Sequence, residues 1–296
     1  MCIRDSHTNA SDGLLSPDAL VDRLAEAGIQ TFSVTDHDTV AGLARAEAAA
    51  ARHGLRFVPG IEITAVENEL DVHMLGYGFD PTSRPLLEFL EAQRAERLMR
   101  AYRIIDRLKE LGMPLEADQV IGQTPPSSGK AIGRPAVARA LVAKGYCESV
   151  SDAFNRFLGS GKPGFMPRTG APAAEVVDII ARAGGVASMA HPGVTKRDEL
   201  IPGLVARGLM AIEVWHSDHD DETTMRYLAQ AEALGLHMTG GSDYHGDLPD
   251  RNARLGAIGI PQGAFDRFAG VLREARARVI PNAGGNGLAS GEGDRA

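Results

Sequence analysis

Hydrophobic and polar positions in this chain change period repeatedly, from a helical spacing to a strand spacing and back. Leu20, Val21 and Leu24 recur as one helix face, with Ser16 as the N-cap and Pro17 at the first helical position, which predicts a helix over 16–27 closed by Gly28. An apolar, β-branched run over 30–35 then predicts a strand that stops on Asp36-His37-Asp38. Residues 39–53 are Ala-rich and helical, closed by Gly54. Strands are predicted over 55–64 and 70–78. The rhythm then changes. Residues 85–111 read as one long helix closed by Gly112, followed by short helices at 116–121, 135–144 and 150–157. Residues 122–133, between two of these, are rich in Pro, Ser and Gly, and no strand signal is strong over 81–163. Alternation resumes with helices over 172–183, 196–207, 223–234 and 265–275 and strands over 185–190, 209–215 and 236–241.

Strands and helices that alternate, with polar residues at the strand C-termini, predict an α/β protein with a parallel, barrel-like sheet of about seven strands. The pattern divides the chain into a barrel unit over 1–80 and 164–281, a helical insertion over 81–163 and a disordered tail over 282–296, where Gly, Ser and Asn dominate. The first six residues are too short for a full first strand, so the start is expected to be truncated or foreign.

Composition narrows the function. Hydrophobic residues make up 44% of the 296 and the net charge is −8, which argues against broad electrostatic binding of nucleic acid. An anionic substrate must then be held locally, by metal ions or a small basic cluster. Cys2 and Cys147 make no disulfide framework. No apolar run approaches the roughly 20 residues of a membrane span, and no signal-peptide core opens the chain, so the expected compartment is the cytoplasm.

The chemistry lies at the strand ends. His7, His37, Glu62, His191, His219, Asp243 and His245 all fall at or just beyond predicted strand ends, and His73 lies within a strand. Any one strand-end histidine is ordinarily structural. Their convergence on one barrel face predicts a multinuclear metal site, and imidazole with carboxylate suits Zn, Mn or Fe better than Ca or Mg alone. A carboxylate can bridge two ions about 3.5–4 Å apart, an arrangement suited to phosphoester hydrolysis.

The motifs His7-Thr-Asn-Ala-Ser11-Asp12-Gly13, Thr35-Asp36-His37-Asp38, Gly60-Ile61-Glu62, Val72-His73-Met-Leu-Gly76-Tyr77-Gly78, Ala190-His191-Pro192 and Gly241-Ser242-Asp243-Tyr244-His245-Gly246 resemble, in order, those of the polymerase and histidinol phosphatase (PHP) family. The resemblance runs from His7 to about Pro261 and is strongest to the branch with nucleoside 3′,5′-bisphosphate phosphatases and a 5′-to-3′ exoribonuclease; the helical insertion and Gly133-Arg134-Pro135 fit that branch. It implies a distorted (β/α)7 barrel with two or three divalent ions at the strand C-termini, Mn first, with Zn, Fe or Mg as alternatives. It further implies that Glu62 bridges two ions, completed by His7 and Asp243 on one side and by His73 and His191 on the other, while Asp12, His37 and His245 hold a third. The family's first motif is His-x-His; here Asp5 stands in the first position as a candidate oxygen ligand.

Remaining candidates follow from position. Arg94, Arg97, Arg100 and Arg103 recur on the long helix; a solvated face is the plain reading, with Arg97 expected to reach substrate phosphate. Arg134 opens a helix after Gly-rich sequence, where anions bind, and Lys130 lies within reach of the same phosphate. Lys162 and Arg168 are weaker candidates. His219 is expected to contact substrate or protonate the leaving oxygen, and Asp36 to orient His37 or a water. His216 reads as packing against Trp215. The expected activity is metal-dependent hydrolysis of a nucleotide phosphomonoester, with short RNA as a further substrate, and no membrane or obligate protein partner. The alternatives are a histidinol-phosphate phosphatase and a metal-binding module without turnover.

Overall fold

The computed structural model describes residues 5–122, 131–246, 255 and 258–279. Lys130 and the 282–296 tail lie outside the described residues. Six strands form one curled sheet in chain order: β1 (Thr31–Val34), β2 (Arg56–Glu67), β3 (Leu70–Tyr77), β4 (Val186–Met189), β5 (Ala211–His216) and β6 (His237–Gly241). Every residue of β1 and β4 is buried, as expected of strands covered on both faces. The covering helices include α1 (Pro17–Glu26) and α2 (Leu43–His53). On the N-terminal side of α1, the Ser16 hydroxyl accepts the amide of Ala19 and Pro17 opens the first turn, as predicted.

The sheet is not wholly parallel. β1 pairs parallel to β2, and β4, β5 and β6 run parallel to one another, but β3 is antiparallel to both β2 and β4. The cause is local. Glu67 pairs with Leu70, so Asn68 and Glu69 form a two-residue turn with φ of 51° and 64°. Two positive φ values in such a turn match the twist of a hairpin, and no crossover helix intervenes. Among the described residues the sheet has six strands rather than about seven. The short segment around Ser6 lies between its two edges. Thr35 donates its amide to the Ser6 carbonyl at 3.0 Å, and His7 donates to the Tyr244 carbonyl at 2.8 Å.

Between β3 and β4 run α3 (Arg84–Glu110), α4 (Ala117–Ile121), α5 (Arg134–Ala143) and α6 (Val150–Ala153), the last continuing into a π-helical turn over Phe154–Leu158. Their buried side chains, among them Ile104, Leu108, Val137 and Leu141, make a core of their own. After them come α7 (Ala173–Arg182), α8 (Pro192–Thr195), α9 (Ile201–Ala206), α10 (Asp221–Leu234) and α11 (Gln262–Val279). The single helix expected over 196–207 is broken, because Lys196 turns left-handed at φ 54° and Pro202 restarts the helix near its first turn. The helix expected from residue 39 begins only at Leu43, after Asp38 adopts φ 50°.

Candidate metal centre

Sheet curvature brings the strand ends together. His37 pairs in a parallel bridge with Glu62, so β2 carries its carboxylate level with the end of β1. Close approach is required there, since a Cβ on Gly60 would lie 1.9 Å from Ser33 Oγ and 2.8 Å from the Val34 carbonyl. Glu62 is fully buried and its two oxygens face opposite ways. Oε1 lies 2.6 Å from His73 Nδ1 and 3.1 Å from His191 Nε2. Oε2 lies 3.1 Å from His7 Nε2 and 3.4 Å from His37 Nδ1. His7 Nε2 is also 3.2 Å from Asp243 Oδ1 and 3.6 Å from Asp5 Oδ1. Asp12 lies 3.3 Å from His245 Nε2, 3.6 Å from His7 Nδ1 and 3.7 Å from His37 Nε2.

All nine sequence-predicted ligand candidates are therefore gathered in one cluster. Their donor atoms converge in three overlapping groups: Asp5, His7, Glu62 and Asp243; His37, Glu62 and His73; and His7, Asp12, His37 and His245. Relative to the implied sets, His7 and His37 each reach a second group, and His191 stands beside the middle one through Glu62. The donors suit a divalent ion. Both His7 nitrogens, His37 Nδ1 and Glu62 Oε2 are buried without a well-formed hydrogen bond among the described residues. Burying such atoms unpaired is costly, and a shared ion removes the cost. Ligand atoms about 2.0–2.2 Å from one ion stand about 3–3.5 Å apart, the spacing seen around His7 and Glu62.

Charge within the cluster is balanced by position. Burial pulls the His191 imidazole down, but Glu62 outweighs it and lifts the group to about 10. His245 is lifted to about 9 by Asp243 and Asp12 against burial and His7. His37 goes the other way, to about 3, because burial outweighs Glu62 and Asp12 and Arg97 lies nearby. Asp5 is raised by burial and by Glu62, and its Oδ1 accepts the Thr35 hydroxyl at 2.5 Å.

Two expectations are corrected by geometry. Both Asp36 oxygens are taken by the loop that carries His7 and Asp12. Oδ1 accepts from Thr8 N at 2.7 Å and from the Ser11 hydroxyl at 2.6 Å, while Oδ2 accepts from the Thr8 hydroxyl at 2.6 Å. Asp36 thus anchors a loop, with its oxygens spent on Thr8 and Ser11 rather than on the His37 ring. His219 donates from Nδ1 to the Val214 carbonyl at 2.9 Å and accepts the Gly193 amide at Nε2, 3.1 Å away. Neither nitrogen is left for a leaving oxygen, and burial lowers its basicity further.

Beside the cluster opens a cavity of about 150 Å³, lined by Asp12, His37 and His73 on one side and by Arg97, Arg100, Arg134 and Arg168 on the other. A buried carboxylate, Asp38, and a half-buried one, Asp71, organise the guanidiniums. Asp38 holds Arg97 through its Nε and Arg168 at 3.1 Å, and it also accepts the Thr64 amide. Asp71 holds Arg134 at 2.9 Å and Arg100 at 3.3 Å. Against burial, Arg97 and Arg168 hold the Asp38 carboxyl well below the usual range, and Arg100 and Arg134 bring Asp71 to about 2. Arg97 spends NH2 on the Thr64 hydroxyl, and its NH1 lies where a Cβ on Gly133 would be 2.9 Å away. Arg134 lies between the rings of Phe154 and Phe165, at 5.7 and 5.9 Å. Arg94 bonds the Asp38 carbonyl, Arg103 pairs with Glu96, and Lys162 is exposed.

Sequence reasoning missed the roles of Asp38, Asp71, Glu213 and His216. His216 lines a cleft of about 190 Å³ with His37, His73, His191, Asp243 and His245. Glu213 is a buried acid in an otherwise apolar stretch of β5, which was a readable signal. Asp71 lies two residues before His73, on the same side of β3 by strand periodicity.

A curled α/β sheet whose strand ends gather nine imidazole and carboxylate side chains beside a guanidinium-lined cavity defines a metal-dependent phosphoric ester hydrolase. Comparison with known proteins makes this specific. The PHP domain model matches residues 5–121. The chain is 35% identical to the 5′-3′ exoribonuclease Rnm of Escherichia coli, over 82% of this chain and 85% of that protein. It is 34% identical to the 3′,5′-nucleoside bisphosphate phosphatase of Chromobacterium violaceum, over 93% of this chain and 96% of that one. A solved structure from Bifidobacterium adolescentis, of a protein assigned as a candidate metal-dependent phosphoesterase, superposes with a TM-score of 0.77 at 34% identity, covering 88% of this chain and 96% of that chain. The chain belongs to the PHP-domain family. No helix among the described residues is long and apolar enough to cross a membrane.

Proposed function

We propose that this chain hydrolyses a phosphomonoester of a nucleoside 3′,5′-bisphosphate by in-line attack of water. The observation that carries the reading is the arginine cavity opening directly onto the histidine and carboxylate cluster. Four guanidiniums against Asp38 and Asp71 leave two net positive charges, which match a phosphate dianion. A substrate with two phosphates fits both places at once, its scissile phosphate at the cluster and its second phosphate among the arginines.

Asp5, His7, Asp12, His37, Glu62, His73, His191, Asp243 and His245 would hold two or three divalent ions, manganese first, with zinc, iron or magnesium as alternatives. Such ions supply Lewis acidity, lower the pKa of water toward about 7 and neutralise charge on the phosphoryl group. The protein's own work is positional. Arg97 NH1 and Arg134 bind and orient the second phosphate, and Asp38 and Asp71 fix those guanidiniums. Asp36 holds the loop that presents His7 and Asp12.

The bridge from Ser6 to Tyr244 and the hydrogen bond from Thr35 to Ser6 support reading the Asp5–Thr8 segment as the seventh member of a distorted (β/α)7 barrel, with residues 81–163 as its helical insertion. A second reading, stepwise 5′-to-3′ hydrolysis of short RNA, is favoured by one observation. A groove of about 290 Å³ is lined by His73 and His191 together with Leu70, Phe165 and Val194, so a longer leaving group has room beside the cluster. Histidinol phosphate fits less well, because its cationic amine would meet arginines. The proposed compartment is the cytoplasm.

The test is phosphate release with added Mn²⁺ from 3′,5′-bisphosphoadenosine and from histidinol phosphate, using the chain and its Asp5→His variant. Preferential release from the bisphosphate is expected. Faster release from histidinol phosphate would overturn the substrate assignment. Full metal occupancy with no hydrolysis of any phosphoester in either form would favour a binding module without turnover.

A further inference from the structure

The backbone at His191 is unusual. Its φ of 27° and ψ of 58° put an L-residue in left-handed space, and Pro192 follows it directly. The ladder between β3 and β4 ends one residue earlier, where Ala190 donates to the His73 carbonyl at 3.1 Å. The next amides therefore have no strand partner, and side chains take them. His191 N–H donates to Glu213 Oε2 at 2.8 Å. Gly193 N–H donates to His219 Nε2 at 3.1 Å, and His219 Nδ1–H is pinned to the Val214 carbonyl at 2.9 Å. Both holders come from β5 and the loop just after it. Space is matched to this arrangement. A Cβ on Gly193 would lie 2.8 Å from His219 Nε2 and 2.7 Å from Thr223 Cγ2.

We propose that Glu213 and His219 are positioning residues that lock the 191–193 turn and so keep His191 Nε2 aimed at Glu62, 3.1 Å away. Glu213 acts as a hydrogen-bond acceptor for the His191 amide, and His219 acts as a fixed acceptor for the Gly193 amide. The inference rests on the reading of His191 as a metal ligand. Outer partners of this kind ordinarily change metal affinity by about 10- to 100-fold when lost.

The experiment titrates the apo protein with Mn²⁺ by calorimetry and counts bound metal by elemental analysis, with far-UV circular dichroism and thermal melting as fold controls. The variants are Glu213→Gln, which keeps an acceptor, and Glu213→Met, which fills the same space without one. The parallel pair is His219→Gln and His219→Leu, and His191→Ala is the reference. Expected results are that both Gln variants bind Mn²⁺ within about threefold of wild type, while Glu213→Met and His219→Leu weaken one site about 10- to 100-fold, in the direction of His191→Ala. If His191→Ala weakens binding and the folded Met and Leu variants do not, the positioning role is overturned and the ligand reading stands. If His191→Ala itself binds as wild type does, both fall. Should Glu213→Met fail to fold, the His219 pair decides: equal binding by His219→Gln and His219→Leu overturns the proposal.

Discussion

Gly133→Ala is the sharpest probe of the arginine cavity, because it adds one methyl group at the point where substrate phosphate is expected to meet Arg97. Gly133 has extended backbone, φ −143°, so alanine carries no conformational penalty there. The new Cβ would stand 2.9 Å from Arg97 NH1, with Pro135 Cδ next at 3.6 Å. Ordinary contact begins near 3.4 Å, so the guanidinium must retreat by about half an ångström. It has little freedom to do so, because Asp38 holds its Nε and the Thr64 hydroxyl holds NH2. A charge-assisted hydrogen bond contributes about 1.5–3 kcal/mol and weakens steeply with length. Losing most of one corresponds to about a 10- to 100-fold fall in kcat/KM at 1.4 kcal/mol per decade. The assay compares 3′,5′-bisphosphoadenosine with p-nitrophenyl phosphate, which has no second phosphate. The fall should appear in KM for the bisphosphate, with p-nitrophenyl phosphate unchanged within about twofold. Equal losses on both substrates, or none on either, would refute the assignment of a second phosphate to this cavity.

Three other outcomes follow from the same geometry. Removing metal with a chelator should lower Tm by about 4 °C per ion, since an ion at 100 times its Kd adds about 2.7 kcal/mol and unfolding entropy is on the order of 2 cal/mol/K per residue; an unchanged melting curve would deny the cluster its ions. Asp36→Ala strips acceptors from Thr8 and Ser11 in a buried loop and should cost about 2–4 kcal/mol, read by denaturant titration, with metal affinity falling alongside; stability within 0.5 kcal/mol of wild type, as an order-of-magnitude threshold, would mean the loop does not depend on it. Gly60→Ala collides with the Val34 carbonyl, a backbone atom that cannot swing aside, and should destabilise by about 1–3 kcal/mol or more; normal melting would show that β1 and β2 have room to part.

Much of the imidazole and carboxylate cluster was legible because its members fall at the ends of predicted strands, and a sheet that curls brings those ends together. His7, His37, Glu62, His191, Asp243 and His245 stood out at or just beyond predicted strand ends, whereas His73 lies within a strand and was singled out by its alternating neighbours. The direction of β3 was not found, although Asn68 between two strand runs was a turn signal in plain view. His219 and Asp36 were misread for a different reason. A strand-end histidine or acid can serve a ligand, a backbone amide or a loop, and only the partner geometry decides which. Asp38 and Asp71 escaped because their partners lie on α3, α5 and the segment returning to the sheet, at separations no local pattern reveals.

The Ser6–Tyr244 bridge has a consequence for synthesis. The cluster joins residues more than 230 positions apart, since His7 lies against Asp243 and His245. Contacts of such long sequence separation form late, and on a ribosome they wait for the C-terminal strand to emerge. A growing polypeptide therefore carries seven of the nine ligand candidates without a closed site. Phosphoester cleavage, by the activity proposed above, would switch on only when the segment around His7 meets the segment around Asp243 and His245.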